Sequence, residues 1–169
     1  KQVYKNFDEA HQLYKTQLDV YQRMTDSMPD TFRIIASKRD LNLLLDLWTL
    51  SLSPALGGVP AAEDSGLSNE SKGKPVGMVI LMEGGEAIRN LSELEEWHRL
   101  GVRLIGPAWV GTRYCGGWKE PGPLTKDGKK LLSAMADFNF VLDLSHMDER
   151  AAIEALDIYE GSIVGTHAN

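Results

Sequence analysis

The sequence predicts an α/β fold built on a parallel sheet, and three observations carry that expectation. From Pro75 onward, apolar runs of strand length alternate with segments of helical spacing, the order a parallel sheet with crossover helices requires. The run at 76–82 is apolar without interruption, as expected of a strand covered by helices on both faces. The 169 residues, 43% hydrophobic and 25% charged, suffice for one domain with a sizeable core.

The elements follow in order. Val3, Phe7, Ala10, Tyr14, Leu18, Tyr21, Met24 and Met28 recur every three or four positions, which predicts a helix over 3–28 that ends at Pro29. Residues 31–36 (T-F-R-I-I-A) read as a short strand, and S-x-x-D at 37–40 starts a helix through the apolar stretch 41–50. Residues 51–74 hold Pro54, Gly57, Gly58, Pro60, Gly66 and Gly73 among serines and charges; a flexible loop or insertion is expected there. A strand at 76–82 comes next. Ser92-Glu93-Leu94-Glu95 reads as a capping box opening a helix to about Leu100. Further strands are expected at 102–105, 140–144 and 162–166, with helices at 125–137 and 148–159.

Composition narrows the function classes. A net charge of -6 opposes a polyanion, so nucleic acid is not an expected partner. No apolar run approaches the ~20 residues of a membrane-spanning helix, and no basic-then-apolar leader is present. The lone Cys115 cannot form an internal disulfide, which points to a reducing, cytoplasmic compartment. The chain begins at Lys1 and stops directly after an apolar run at T-H-A-N, so a piece of a longer protein is expected.

In parallel α/β folds the reactive groups gather at the carboxyl ends of the strands. Glu83 follows the run at 76–82, His146 follows 140–144, and His167 follows the last strand. A carboxylate and two imidazoles delivered to one end of a sheet suit a divalent metal such as zinc. Asp143 opens D-L-S-H and is read either as a partner that orients a ligand or as a carboxylate bonded to backbone. His11 and His98 fall in helices beside acidic residues and read as solvated. Gly84-Gly85 could instead cradle a phosphate on backbone N–H groups. The stretch 111–118, with Arg113 among glycines and aromatics, reads as a substrate-contacting loop or simply a tight one. Cys115 has no base beside it, and Ser145 and His146 point to opposite faces if the strand continues, so neither is read as a nucleophile.

M-E-G-G at 82–85, G-V-R at 101–103, G-x-L-T at 122–125, D-L-S-H at 143–146 and T-H-A-N at 166–169 resemble the membrane (renal) dipeptidase family of metallopeptidases. Residues 106–117 (G-P-A-W-V-G-T-R-Y-C-G-G) look like its bacterial branch. The resemblance spans 75–169, and extends by order of elements over 1–50. It implies a partial (β/α)₈ TIM-type barrel of the metal-dependent hydrolase type, with about five of eight strands present in a single incomplete domain. It further implies hydrolysis of dipeptides by a hydroxide bridging two zinc ions. Glu83 would be the bridging ligand, with His146 and His167 holding the second ion, and a homodimer is a further expectation.

Family members carry an H-x-D on the first strand, which this sequence lacks, and an arginine and an aspartate after the last histidine. Trp109 stands where the animal enzymes place a substrate-contacting histidine, so their substrate preference is not expected to carry over; Trp109 and, from the loop 111–118, Arg113 are the expected substrate contacts. The parent protein is then expected to be a zinc dipeptidase and the segment alone inactive. The alternatives are a degenerate barrel that binds a small molecule or one metal, and a phosphate-binding barrel.

Overall fold

The structure, a computed structural model, describes residues 4–50 and 74–167. The expected loop at 51–74 therefore lies outside the described residues except for Lys74. The first helix, α1 (Phe7–Ser27), starts where the Asn6 side chain accepts the Glu9 N–H at 2.8 Å, a polar cap for an orphan amide. Asp8 and Glu9 in its first turn oppose the positive end of the helix dipole. Past Pro29 the chain enters β1 (Phe32–Ile34) and then α2 (Lys38–Leu50). Ser37 and Asp40 cap α2 reciprocally: Ser37 Oγ accepts the Asp40 N–H at 3.1 Å, and the Asp40 carboxylate accepts the Ala36 N–H at 3.1 Å.

The apolar run expected as one strand is two. β2 (Val76–Met78) pairs in parallel with β1, and β3 (Ile80–Glu83) pairs in parallel with β4 (Val102–Gly106). The break falls at Val79, with a register shift between Ile80 and Leu81. A bulge of this kind bends and twists a strand, so the run gives its first half to one neighbour and its second half to the other. β5 (Val141–Asp143) and β6 (Ile163–Val164) complete a parallel sheet in the order β3-β4-β5-β6. Each strand lies beside the next one in sequence with no reversal. That is the one-way winding of a β/α barrel wall, since a doubly wound sheet reverses its order at a switch point.

The helices cover one face. α3 (Leu94–Arg99), α4 (Lys126–Asp137) and α5 (Glu149–Ile158) follow β3, β4 and β5. Leu94 and Trp97 of α3, Leu131, Leu132 and Met135 of α4, and Ala151 and Ala155 of α5 pack with Met82, Ile105 and Leu142 of the sheet. Each large side chain buried there contributes about 1.5–3 kcal/mol. Thr125 caps α4 through the Gly128 N–H, and Asp148 caps α5 through the Arg150 N–H. Arg103 ties the start of β4 to α3 and to the segment that leaves β1: its guanidinium donates to the carbonyls of Val102, His98 and Ala36.

Three further expectations are corrected. The capping box at 92–95 does not form; a 3₁₀ turn at Leu91–Glu93 precedes α3, and the Glu93 carboxylate reaches back to the Arg89 N–H at 3.0 Å. His11 is buried rather than solvated. Its Nδ1 lies 3.0 Å from the Ala87 carbonyl and 3.5 Å from Glu93 Oε2, and its ring meets Trp97 edge-on. The helix periodicity marked the buried face by its apolar residues, and a histidine on that face was legible only through its buried partners. His98 is half-buried, edge-on to Phe140; burial and then the charge of Arg103 hold its imidazole below its usual value.

Candidate metal centre

Glu83 is the last residue of β3, in register with Gly106 at the end of β4. The turn behind it is pinned from several sides. Gly84 adopts φ 92°, a conformation that favours glycine. The Gly84 and Gly85 N–H groups donate to the carbonyls of Gly106 and Pro107 at 2.8 and 3.2 Å. A Cβ on Gly85 would lie 2.6 Å from the Tyr114 ring. Both amides are spent on β4 and its loop, so the Gly84-Gly85 phosphate cradle considered from the sequence is not available.

His146 sits in the turn that leaves β5, closed by the Met147 N–H donating to the Leu144 carbonyl at 3.1 Å. Its φ of 66° is uncommon for a residue with a Cβ. Such strain concentrates where a side chain must be aimed. His167 leaves β6 with its N–H on Ser145 Oγ at 3.2 Å. His146 Nε2 lies 2.8 Å from Glu83 Oε1, His167 Nε2 lies 2.9 Å from the same oxygen, and the two Nε2 atoms are 2.8 Å apart. The two rings meet edge-on. The three residues expected as ligands are thus brought together from three strand ends, and they form the one His/Cys/Asp/Glu cluster of metal-ligand geometry among the described residues.

The donor set fits a divalent cation. At zinc bond lengths of ~2.0–2.1 Å, tetrahedral ligand atoms stand ~3.3 Å apart, so the observed triangle need open by only about half an ångström. Zinc takes imidazole nitrogen and carboxylate oxygen together, and both imidazoles present the same nitrogen.

Asp143 explains why His167 presents Nε2. Only 1% exposed, its carboxylate accepts hydrogen bonds from Ser145 N–H, Ser145 Oγ, Thr166 N–H and Thr166 Oγ1 at 3.1, 2.7, 3.1 and 2.5 Å. Burial would raise its pKa, but the hydroxyl and amide donors of Thr166 and Ser145 hold it below the ordinary carboxylate value. Thr166 Oγ1 also lies 2.7 Å from His167 Nδ1. A hydroxyl has one proton. With that proton on Asp143, Thr166 accepts from Nδ1–H, which leaves the Nε2 lone pair free toward Glu83. The sequence pointed to Asp143; Thr166 carried no signal beyond its place before His167.

The remaining candidates separate. Trp109, about half exposed, lines a cleft of about 590 Å³ together with Tyr14, Leu81 and Glu83. Arg113 is held in structure: its guanidinium lies between the Phe7 and Tyr114 rings, 4.7 Å from each, and donates to the Ile88 and Arg89 carbonyls. Cys115 is buried, and burial first, then the charge of Glu86, pushes its thiol up to about 12, unsuited to nucleophilic attack. Ser145 Oγ donates to Asp143 rather than facing His146.

A one-way parallel wall with a His₂–carboxylate cluster at its carboxyl end defines a β/α-barrel protein with a candidate divalent metal centre. Residues 59–169 match the model of the membrane dipeptidase family, peptidase family M19, and the chain belongs to that family. It is 36% identical over 106 residues to the "Uncharacterized protein in PQQ-III 3'region" of Acinetobacter calcoaceticus, covering 57% of this chain and 34% of that protein. It is 28% identical over 102 residues to "Dipeptidase tcpJ" of Claviceps purpurea, covering 55% and 24%. The chain thus spans about a third or less of the length of these relatives. Among solved structures, a metallo peptidase from Rhodobacter sphaeroides, liganded with a phosphinate mimic of L-Ala-D-Ala, superposes with TM-score 0.73 at 20% identity over 98% of this chain and 42% of that one. The probable dipeptidase PvdM from Pseudomonas aeruginosa gives TM-score 0.72 at 21% identity over 95% and 37%. At these identities the likeness shows the fold, and it agrees with the parallel barrel wall.

Proposed function

We propose that this chain is part of a zinc-dependent dipeptidase in which Glu83, His146 and His167 hold metal, with Glu83 shared between two ions. The observation that carries the reading is the convergence of Glu83 Oε1 and the two histidine Nε2 atoms within 2.8–2.9 Å of one another, within a family of dipeptidases. Zinc would supply Lewis acidity, polarising the substrate carbonyl and lowering the pKa of the attacking water. The chain's own residues do the rest. Glu83 offers a carboxylate of two oxygens, the arrangement required to share cations that would otherwise repel. Asp143 and Thr166 hold His167 in its ligating tautomer. Trp109, beside Glu83 in the same cleft, is assigned a substrate contact. Arg113 is given none, since its donors close the loop against Ile88 and Arg89.

The wider reading treats the parent protein as the enzyme, a dipeptide as its substrate, a homodimer as its assembly and the cytoplasm as its compartment. No helix among the described residues is long and apolar enough to cross a membrane. The test is His146→Ala in the full-length protein. Dipeptide hydrolysis should be lost and bound zinc reduced, while circular dichroism stays that of the folded protein. Unchanged zinc content and turnover would refute the assignment. The 169-residue chain by itself is expected to hydrolyse no dipeptide.

A further inference from the structure

Tyr14 lies outside every motif of the sequence, yet it touches the backbone of the central ligand. Its hydroxyl donates to the main-chain carbonyl of Glu83. On the other side of the same peptide, the Gly84 N–H donates to the Gly106 carbonyl at 2.8 Å. The peptide unit that follows the carboxylate ligand is therefore gripped at both ends, by α1 and by β4.

That grip acts on a peptide that ends at a glycine. Gly84, at φ 92°, has no Cβ to fix it, and a glycine peptide rotates at little steric cost. Rotation of the peptide would alter the backbone at Glu83 and re-aim its side chain. A carbonyl that loses its donor also loses about 1 kcal/mol of hydrogen bonding.

Tyr14 is itself held. One turn before it on α1, His11 meets the Ala87 carbonyl at 3.0 Å; one residue after it, Lys15 pairs with Glu96 at 2.5 Å; and Asp8 pairs with Arg89 at 2.9 Å. These contacts dock α1 on the segment that follows Glu83 and deliver the phenol to one carbonyl oxygen.

We infer that Tyr14 is a positioning residue for the metal centre, fixing through the Glu83 carbonyl the direction in which the Glu83 carboxylate meets its cation. The inference rests on the reading of Glu83 as a ligand, and the experiment separates the two. Zinc dissociation constants are measured by chelator competition on the metal-free full-length protein and on its Tyr14→Phe, Lys15→Ala and Glu83→Gln variants, with kcat and KM for one dipeptide. Tyr14→Phe keeps the ring and removes only the donor. It is expected to weaken zinc binding about tenfold or more and to lower kcat with KM little changed. Lys15→Ala, which loosens α1 without touching the carbonyl, should leave the zinc constant within about twofold. Zinc binding and kcat of Tyr14→Phe equal to wild type, while Glu83→Gln abolishes binding, would overturn the inference and leave the ligand assignment standing. The same would follow if Lys15→Ala weakened zinc as much as Tyr14→Phe, because helix docking would then be the cause. Unchanged zinc binding in Glu83→Gln would overturn both.

Discussion

Replacing Asp143 by Asn tests the hydrogen-bond chain behind His167 at constant shape. Three donors converge on Oδ1 of Asp143: Ser145 N–H, Ser145 Oγ and Thr166 N–H. An asparagine oxygen placed there keeps all three. The amide nitrogen then occupies the position of Oδ2, which now accepts from Thr166 Oγ1 at 2.5 Å. That nitrogen can only donate, so the threonine hydroxyl must accept from it and turn its own proton toward His167 Nδ1. His167 is driven to the tautomer that carries its proton on Nε2, the nitrogen that faces Glu83, and a protonated nitrogen cannot ligate. Changes to such outer partners cost ~10–100-fold in metal affinity, which is about 1.4–2.7 kcal/mol. The lost charge-assisted bond destabilises the fold by a further ~1.5–3 kcal/mol. Thr166→Val sets the comparison, since it removes the relay without imposing the wrong tautomer and should weaken zinc less than Asp143→Asn. The assay is chelator competition on metal-free protein, with nitrogen NMR of the His167 ring to read the tautomer. Zinc binding in Asp143→Asn equal to wild type, or weaker binding in Thr166→Val than in Asp143→Asn, would refute the reasoning.

Further expectations concern stability. A Cβ on Gly117 would stand 2.4 Å from the Val110 carbonyl oxygen and 2.7 Å from that of Trp109; main-chain atoms cannot yield, so Gly117→Ala should destabilise the protein by about 1–3 kcal/mol in urea unfolding, and an unchanged midpoint would contradict the packing. Glu93 is buried with Arg89 at 2.6 Å and His11 at 3.5 Å; burial would raise its pKa, but the hydrogen bonds from Arg89 prevail and hold it below its ordinary 4.5. The unfolded chain then binds the proton first, so this stabilisation is full above pH ~4.5 and lost as pH falls through the lower folded value. Glu93→Gln should flatten the fall in thermal midpoint over that acid range, and an identical acid profile would show that Glu93 has no part in it.

The architecture was legible because β/α alternation writes itself in spacing, and because catalytic groups follow strands. Glu83, His146 and His167 could be chosen from position alone. What the spacing could not show was three-dimensional competition for the same atoms. The run at 76–82 reads as one strand, and only its two different neighbours explain the break at Val79. Glycines and Arg113 suggest a ligand loop until the guanidinium is seen between two aromatic rings. His11 follows the acidic pair Asp8 and Glu9 in sequence, and its burial follows from helix docking. Tyr14 and Thr166 bear ordinary hydroxyls whose meaning depends on partners 69 and 23 residues away.

The loop after β4 and the turn after β5 are sewn together. Gly117 bridges to Met147, the Asp148 N–H donates to the Gly116 carbonyl at 3.0 Å, and the Trp118 N–H reaches back to the Trp109 carbonyl at 3.3 Å. The residue assigned to substrate and the histidine assigned to metal therefore ride on one mechanical unit. Grafting a different loop at 107–118 to change substrate preference would shift His146 with it. In this scaffold, selectivity and metal affinity will have to be evolved together, and variants chosen for a new substrate should be rescreened for the metal concentration they require.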